Sequence, residues 1–138
     1  MTELFADAYF FIALLNPRDQ HHAKVHRGLG ANRSRMVTTS WVLVEVVDAL
    51  CTPSTRVAVH RFLVSILSDS NLWVAHEPVW FERGLDLFGK RSDKEWSLTD
   101  CISFAVMTQR GVTHALTGDR HFAQAGFVPM FAAPPEQN

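Results

Sequence analysis

The sequence predicts an α/β fold, a parallel sheet with helices on both faces in a three-layer α/β/α arrangement. Short β-branched and aromatic runs alternate with segments of helical periodicity along the whole chain, the pattern of strands joined by crossover helices. The 138 residues fit one domain with a sizeable core, and no internal repeat, low-complexity tract or interdomain linker divides them. Acidic residues stand where strands hand over to helices, the edge at which such folds usually place their chemistry.

Residues 3–7, Glu-Leu-Phe-Ala-Asp, read as an opening strand that ends in Asp7. Residues 8–15 follow as an apolar helix stopped by Asn16-Pro17. Asp7 is a lone carboxylate in an apolar stretch, and its simplest role is to cap that helix. Residues 18–35 are polar and basic, with Arg18, Lys24, Arg27, Arg33 and Arg35 against the single acid Asp19, and a helix is expected over about 21–29. His22 and His26 lie one helical turn apart near His21, but no third metal ligand follows at useful spacing, so a solvated helix face is the better reading.

Residues 36–39 form the second predicted strand, and Ser40 is placed to cap a helix over 41–51. The β-branched residues of that segment favour a strand on propensity. A helix sorts them better: Val42, Leu43, Val46, Val47 and Leu50 make an apolar stripe, and Trp41, Glu45 and Asp48 share the other side. Glu45 has only apolar immediate neighbours, so it is either exposed on a narrow strip or kept near the interior for a purpose.

Pro53-Ser54 opens a further helix whose periodicity runs through Val57, Val59, Phe62, Leu63, Ile66 and Leu67, all read as packing residues. Residues 71–75 are a third strand, and Glu77-Pro78 starts a helix that packs with Val79, Trp80, Leu85 and Phe88. A charged loop over 89–95 holds Lys90, Arg91 and Lys94 beside Asp93.

The stretch 97–121 organises the rest. Ser97-x-x-Asp100 has the form of a capping box, a helix over 99–109 ends at Arg110-Gly111, and 115–117 is a strand. Asp119 can cap a turn over 121–125 that Gly126 halts, residues 127–131 are the last strand, and the Pro-rich tail is expected to fray.

Thirteen Lys and Arg against fourteen Asp and Glu argue against a protein that coats nucleic acid by bulk charge, while leaving room for a local basic patch. Cys51 and Cys101, both in apolar helical contexts, read as reduced core residues. The apolar run at 8–15 is too short to span a bilayer, and acids precede it where a signal peptide carries basic residues, so a cytoplasmic protein is expected.

Asp7, Asp100 and Asp119 all fall at strand–helix junctions on one edge of the expected sheet, and Glu45, one turn into its helix, points the same way. Four carboxylates gathered within a few ångströms raise one another's pKa unless a cation compensates. The constellation therefore predicts a metal, and all-oxygen ligation favours Mg²⁺ or Mn²⁺. Such an ion suits phosphodiester hydrolysis.

Leu4-Phe-Ala-Asp7-Ala-Tyr-Phe-Phe-Ile-Ala-Leu-Leu15, Val42-Leu-Val-Glu45-Val46, Ser97-Leu-Thr-Asp100-Cys101 and Leu116-Thr-Gly-Asp119-Arg-His-Phe122, followed by Ala125-Gly-Phe127, closely resemble the ordered motifs of PIN domains. Nearly the whole chain takes part, and the likeness is greatest to the single-domain ribonuclease toxins of VapC type. The resemblance implies a five-stranded parallel sheet with an acidic metal pocket, endoribonuclease activity, a homodimer, and an antitoxin whose segment covers the pocket. By it, Asp7, Glu45, Asp100 and Asp119 match the family's acidic positions and Thr117 a supporting hydroxyl position.

The expected roles follow: Asp7 and Asp100 hold the ion, with Asp119 also in the ligand set, while Glu45 and Asp119 help position the ion or the attacking water. Arg18, Lys24, Arg33, Arg35, Lys90, Arg91 and Lys94 are the candidates for RNA contact. The alternative is a PIN-like module that binds RNA or protein without cutting. A receiver-like phosphate acceptor is disfavoured, since Asp7 has no acidic neighbour and no Lys follows Lys94.

Overall fold

The computed structural model describes residues 2–23 and 34–132. The helix expected over 21–29 falls largely outside this range, as do His26, Lys24, Arg33 and the Pro-rich tail.

The described strands are β1 (Glu3–Ala6), β2 (Arg35–Thr39), β3 (Leu72–Ala75), β4 (His114–Leu116) and β5 (Val128–Pro129). They form one five-stranded sheet in the order β3-β2-β1-β4-β5. Every pairing is parallel, with Phe5 beside both Val37 and Ala115, and Thr38 beside Val74. β1 takes the centre because it is apolar on both faces: Phe5 and Ala6 are fully buried and Leu4 nearly so.

The helices are α1 (Ala8–Leu15), α2 (Ser40–Ala49), α3 (Pro53–Ile66), α4 (Pro78–Lys90), α5 (Leu98–Arg110) and α6 (Arg120–Gln124). Connections to β2 and β3 step one way from the centre and those to β4 and β5 step the other, so right-handed crossovers put the two sets of helices on opposite faces. Phe11 of α1 meets Phe62 of α3 on one face, at 6.1 Å between ring centroids. Across the sheet Phe122 of α6 lies 6.1 Å from Phe5 and 5.0 Å, edge-on, from Phe104 of α5.

Local chemistry sets the helix limits. α2 starts at Thr39, whose hydroxyl accepts the Val42 amide at 3.0 Å, so the cap lies one residue before the expected Ser40. Ser97 and Asp100 form the expected capping box, and α5 stops at Gly111 in the left-handed region, φ 68°. α4 and α5 pack tightly because residue 84 is Gly: a Cβ there would lie 2.3 Å from Ile102 Cγ1 and 2.8 Å from Ile102 Cα. At the far end of the sheet Arg110 donates two hydrogen bonds to the Glu3 carboxylate and lies over the Trp73 ring at 4.0 Å.

Some packing expectations are corrected. Val57 and Leu67 are 62% and 59% exposed, and Leu85 and Phe88 are about half exposed. A helix on a sheet buries only the strip facing it, and periodicity marks an apolar strip without saying what covers it. Cys51 is exposed while Cys101 is buried, because α2 ends at Ala49 and releases Cys51 from its stripe. The last strand is shorter than 127–131, although Met130 and Phe131 amides continue its bonding to Ala115 and Thr117 carbonyls. No described helix is long and apolar enough to cross a membrane.

Candidate metal centre

The carboxyl edge of the sheet gathers the predicted acids. Asp7 ends β1 and stands at the N-cap position of α1, yet its side chain makes no capping hydrogen bond. It turns instead toward β4, where the fully buried Thr117 hydroxyl donates to Asp7 Oδ2 at 2.9 Å. The same Thr117 oxygen accepts the Asp119 amide at 3.1 Å, so one hydroxyl fixes two of the acids relative to each other.

Asp119 caps α6 as expected, its Oδ1 accepting the His121 amide at 2.8 Å. Gly118 precedes it because a Cβ there would strike the Tyr9 ring at 2.8 Å. Asp100 caps α5 through Oδ2, which accepts the Ser97 amide at 3.3 Å and the His121 ring Nδ1 at 3.1 Å. Glu45, on the exposed side of α2, reaches the same edge, close enough to Asp100 and the Thr99 hydroxyl to feel both.

The electrostatics are those of an incomplete site. Burial pushes Asp7 up to about 7; the Thr117 hydroxyl and the Ala8 amide pull it back, and the Asp100 and Asp119 charges raise it further. Burial also raises Asp100, opposed by the His121 hydrogen bond and reinforced by Asp119. Glu45 is raised by partial burial and by Asp100, against the Thr99 hydroxyl. Among the described residues, no Lys or Arg acts on Asp7, Asp100 or Glu45.

This donor set fits a divalent cation. Each Asp has one oxygen tied to the chain, Oδ2 of Asp7, Oδ2 of Asp100 and Oδ1 of Asp119, and no side chain among the described residues hydrogen-bonds the other oxygen of each. Donor atoms of Asp100, Asp119 and His121 lie within 4.8 Å of one another. His121 was not expected in the site. Its place in Leu-Thr-Gly-Asp-Arg-His-Phe, two residues after a capping Asp on a one-turn helix, was the available signal.

The basic residues divide. Arg91 and Lys94 lie over the ring of Trp96, the residue before the Ser97 cap, at 5.0 and 6.0 Å. Arg91 also grips Asp93 with two bonds near 3.0 Å, and Lys90 pairs with Asp86 at 2.8 Å. Arg35 begins β2 at the opposite end of the sheet, and Arg18 lies beyond the C-terminus of α1 beside Leu50 and Thr52, so neither is at the acidic edge. His21 and His22 are not a solvated face: the His21 ring stacks 4.7 Å from Tyr9, and His22 Nδ1 bonds the Ala13 carbonyl at 2.6 Å.

Comparison with known proteins finds relatives along most of the chain. The 23S rRNA-specific endonuclease VapC20 of Mycobacterium tuberculosis, from strains CDC 1551 / Oshkosh and ATCC 25618 / H37Rv, is 30% identical over 129 residues, spanning 91% of this chain and 95% of the relative. The crystal structure of Mycobacterium tuberculosis VapC20, described as a Sarcin-Ricin loop cleaving toxin, matches with TM-score 0.82 and 27% identity over 91% of this chain and 96% of that one. FitAcB from Neisseria gonorrhoeae shares the fold alone, with TM-score 0.64 and 17% identity over 91% and 94% of the two chains. The family model described as PIN domain matches residues 4–128. The resemblance carried by the acidic motifs is borne out, and the chain belongs to the PIN domain family.

Proposed function

We propose that this chain is a divalent-metal-dependent endoribonuclease, the toxin of a toxin–antitoxin pair, acting in the cytoplasm on structured RNA. The observation that carries the reading is the gathering of Asp7, Asp100 and Asp119 at one sheet edge, each with an oxygen to spare, with Glu45 beside them. Retention of all four acids weighs against a module that binds RNA without cutting it. Kinship with a 23S rRNA-specific endonuclease supports RNA as the substrate class.

Asp7, Asp100 and Asp119 would hold Mg²⁺ or Mn²⁺ through those oxygens. When bound, the ion supplies neutralisation of phosphodiester charge and polarisation of water. In the hydrolysis a water oxygen bonds to phosphorus, one bridging P–O bond breaks, and the leaving oxygen is protonated.

Glu45, at the exposed rim and with its pKa raised by partial burial, would orient the attacking water and take its proton. Thr117 holds Asp7 and the Asp119 backbone in register. Arg91 and Lys94 at the α5 entry would hold flanking phosphates. The exposed strip of Val44, Val57, Val64 and Leu67 on α2 and α3 supports a protein partner, an antitoxin or a second copy.

RNA cleavage by purified wild type, Asp7→Asn and Asp100→Asn with added Mg²⁺ or Mn²⁺ tests the assignment. Each substitution is expected to lower the rate by about 100-fold or more, several kcal/mol of lost stabilisation, and EDTA to abolish wild-type cleavage. Undiminished cleavage by either variant rejects it.

A further inference from the structure

The site contains one nitrogen ligand candidate that the acidic pattern did not include, and its geometry defines what it does. The His121 backbone amide donates to Asp119 Oδ1 at 2.8 Å, and its ring Nδ1 lies 3.6 Å from that same oxygen. Nδ1 also lies 3.1 Å from Asp100 Oδ2, and because an ionised carboxylate can only accept, the tautomer that makes this contact a hydrogen bond carries its proton on Nδ1. A nitrogen carrying that proton has no lone pair for a cation. Nδ1 of His121 therefore spans two acids on different helices, one at the start of α5 and one ahead of α6, and is not itself a ligand atom in this arrangement.

Asp100 is the acid that needs such help. Its Oδ2 already serves the Ser97 amide in the capping box, at a long 3.3 Å. A carboxylate held by one long bond can rotate about its terminal torsion, which is broad and soft. A second donor on the same oxygen stops that rotation and leaves Oδ1 aimed away from both donors. Residues that hold a ligand through its second oxygen commonly change metal affinity by about 10- to 100-fold when removed.

Resting on the metal-dependent reading above, we infer that His121 is a positioning residue of the metal centre: its Nδ1–H clamps Asp100 Oδ2, and with it the α5 entry, against the Asp119 turn, so that Asp100 presents its other oxygen to the cation. Asparagine carries an amide N–H near the place of imidazole Nδ1, whereas glutamine carries it near Nε2. The two substitutions separate this clamp from general bulk or polarity.

Mn²⁺ binding to the wild type and to His121→Ala, His121→Asn and His121→Gln, followed by the EPR signal of free Mn²⁺, tests the inference. Melting in EDTA identifies the folded variants, and the backbone cap from residue 121 survives in all of them. His121→Ala and His121→Gln are expected to bind Mn²⁺ about 10- to 100-fold more weakly, and His121→Asn within a few-fold of wild type. Cleavage by His121→Ala should then recover as Mn²⁺ is raised, since the defect is in affinity. Equal binding by wild type and His121→Ala, or an Asn variant as weak as Ala, overturns the clamp while the metal-dependent reading stands. A wild type that binds no Mn²⁺ overturns both.

Discussion

Asp7 illustrates how a single buried carboxylate links metal, pH and stability. Only 7% exposed, it titrates near 7 in the folded, metal-free protein, against 3.8 for an ordinary Asp. At acidic pH below its ordinary value the group is protonated in both folded and unfolded chains and contributes nothing. Between about 4 and 7 the unfolded chain releases a proton that the folded chain keeps, so stability falls as pH rises, and the loss is complete above about 7. The penalty is on the order of a few kcal/mol. Asp7→Asn in EDTA is therefore expected to be more stable than wild type at pH 8 and to converge with it near pH 4. Urea denaturation across that range measures the difference; parallel curves for the two proteins contradict it. On the proposed metal-dependent reading, a bound cation would offset this cost of a buried charge at neutral pH.

The same residue shows what a sequence can disclose. Asp7, Asp100 and Asp119 were legible because strand–helix junctions are local features, and the Ser97–Asp100 capping box needs only a four-residue window. The part played by His121 was not, because its partner Asp100 is 21 residues away and the contact exists only once α5 and α6 are packed. Whether Asp7 capped its helix or faced a site was open at the sequence level. The Thr117 hydroxyl, 110 residues on, turns the side chain toward β4 and away from capping.

Among the elements, the α4–α5 pair depends most on one residue. Gly84 lets the helices approach until the Ile102 backbone occupies the space of a side chain, with Ile102 N 2.9 Å from where a Cβ would stand. Gly84→Ala improves helix propensity by about 1 kcal/mol. The clash with backbone is expected to outweigh this, for a net loss of about 1–3 kcal/mol in urea unfolding. Because α5 carries Asp100 at its first turn, the same substitution should weaken Mn²⁺ binding; a variant as stable as wild type would mean the helices can part without cost.

Helix and strand types were legible from periodicity, even for α2, whose β-branched residues favour the opposite assignment. The faces were less so. Val59 is buried while Val57 and Leu67 of the same periodic set lie open, since α3 meets α1 and α2 along only one strip. A pattern in one segment holds no information about how wide its neighbour is.

For the molecule as a whole, cation binding and folding are one equilibrium on the proposed metal-dependent reading. Metal that binds only the folded chain stabilises it by about 2.7 kcal/mol at 100 times its dissociation constant. The melting temperature should therefore rise with Mg²⁺ or Mn²⁺ and fall on chelation, with a larger span at pH 8 than at pH 5, because protonated acids bind the ion poorly. Asp100→Asn should lose most of this response. A scan unchanged by metal at both pH values would disconnect the acidic edge from any cation.

The strand order has a further consequence during synthesis. β1 is made first yet lies in the middle of the sheet, and one of its two neighbours, β4, begins only at His114. Asp7 waits for Thr117, and Asp119 follows it, so the acids cannot assemble until residues 117–119 have left the ribosome. The carboxylate made earliest is thus held by a hydroxyl made 110 residues later, and the acidic edge stays unassembled until that segment arrives.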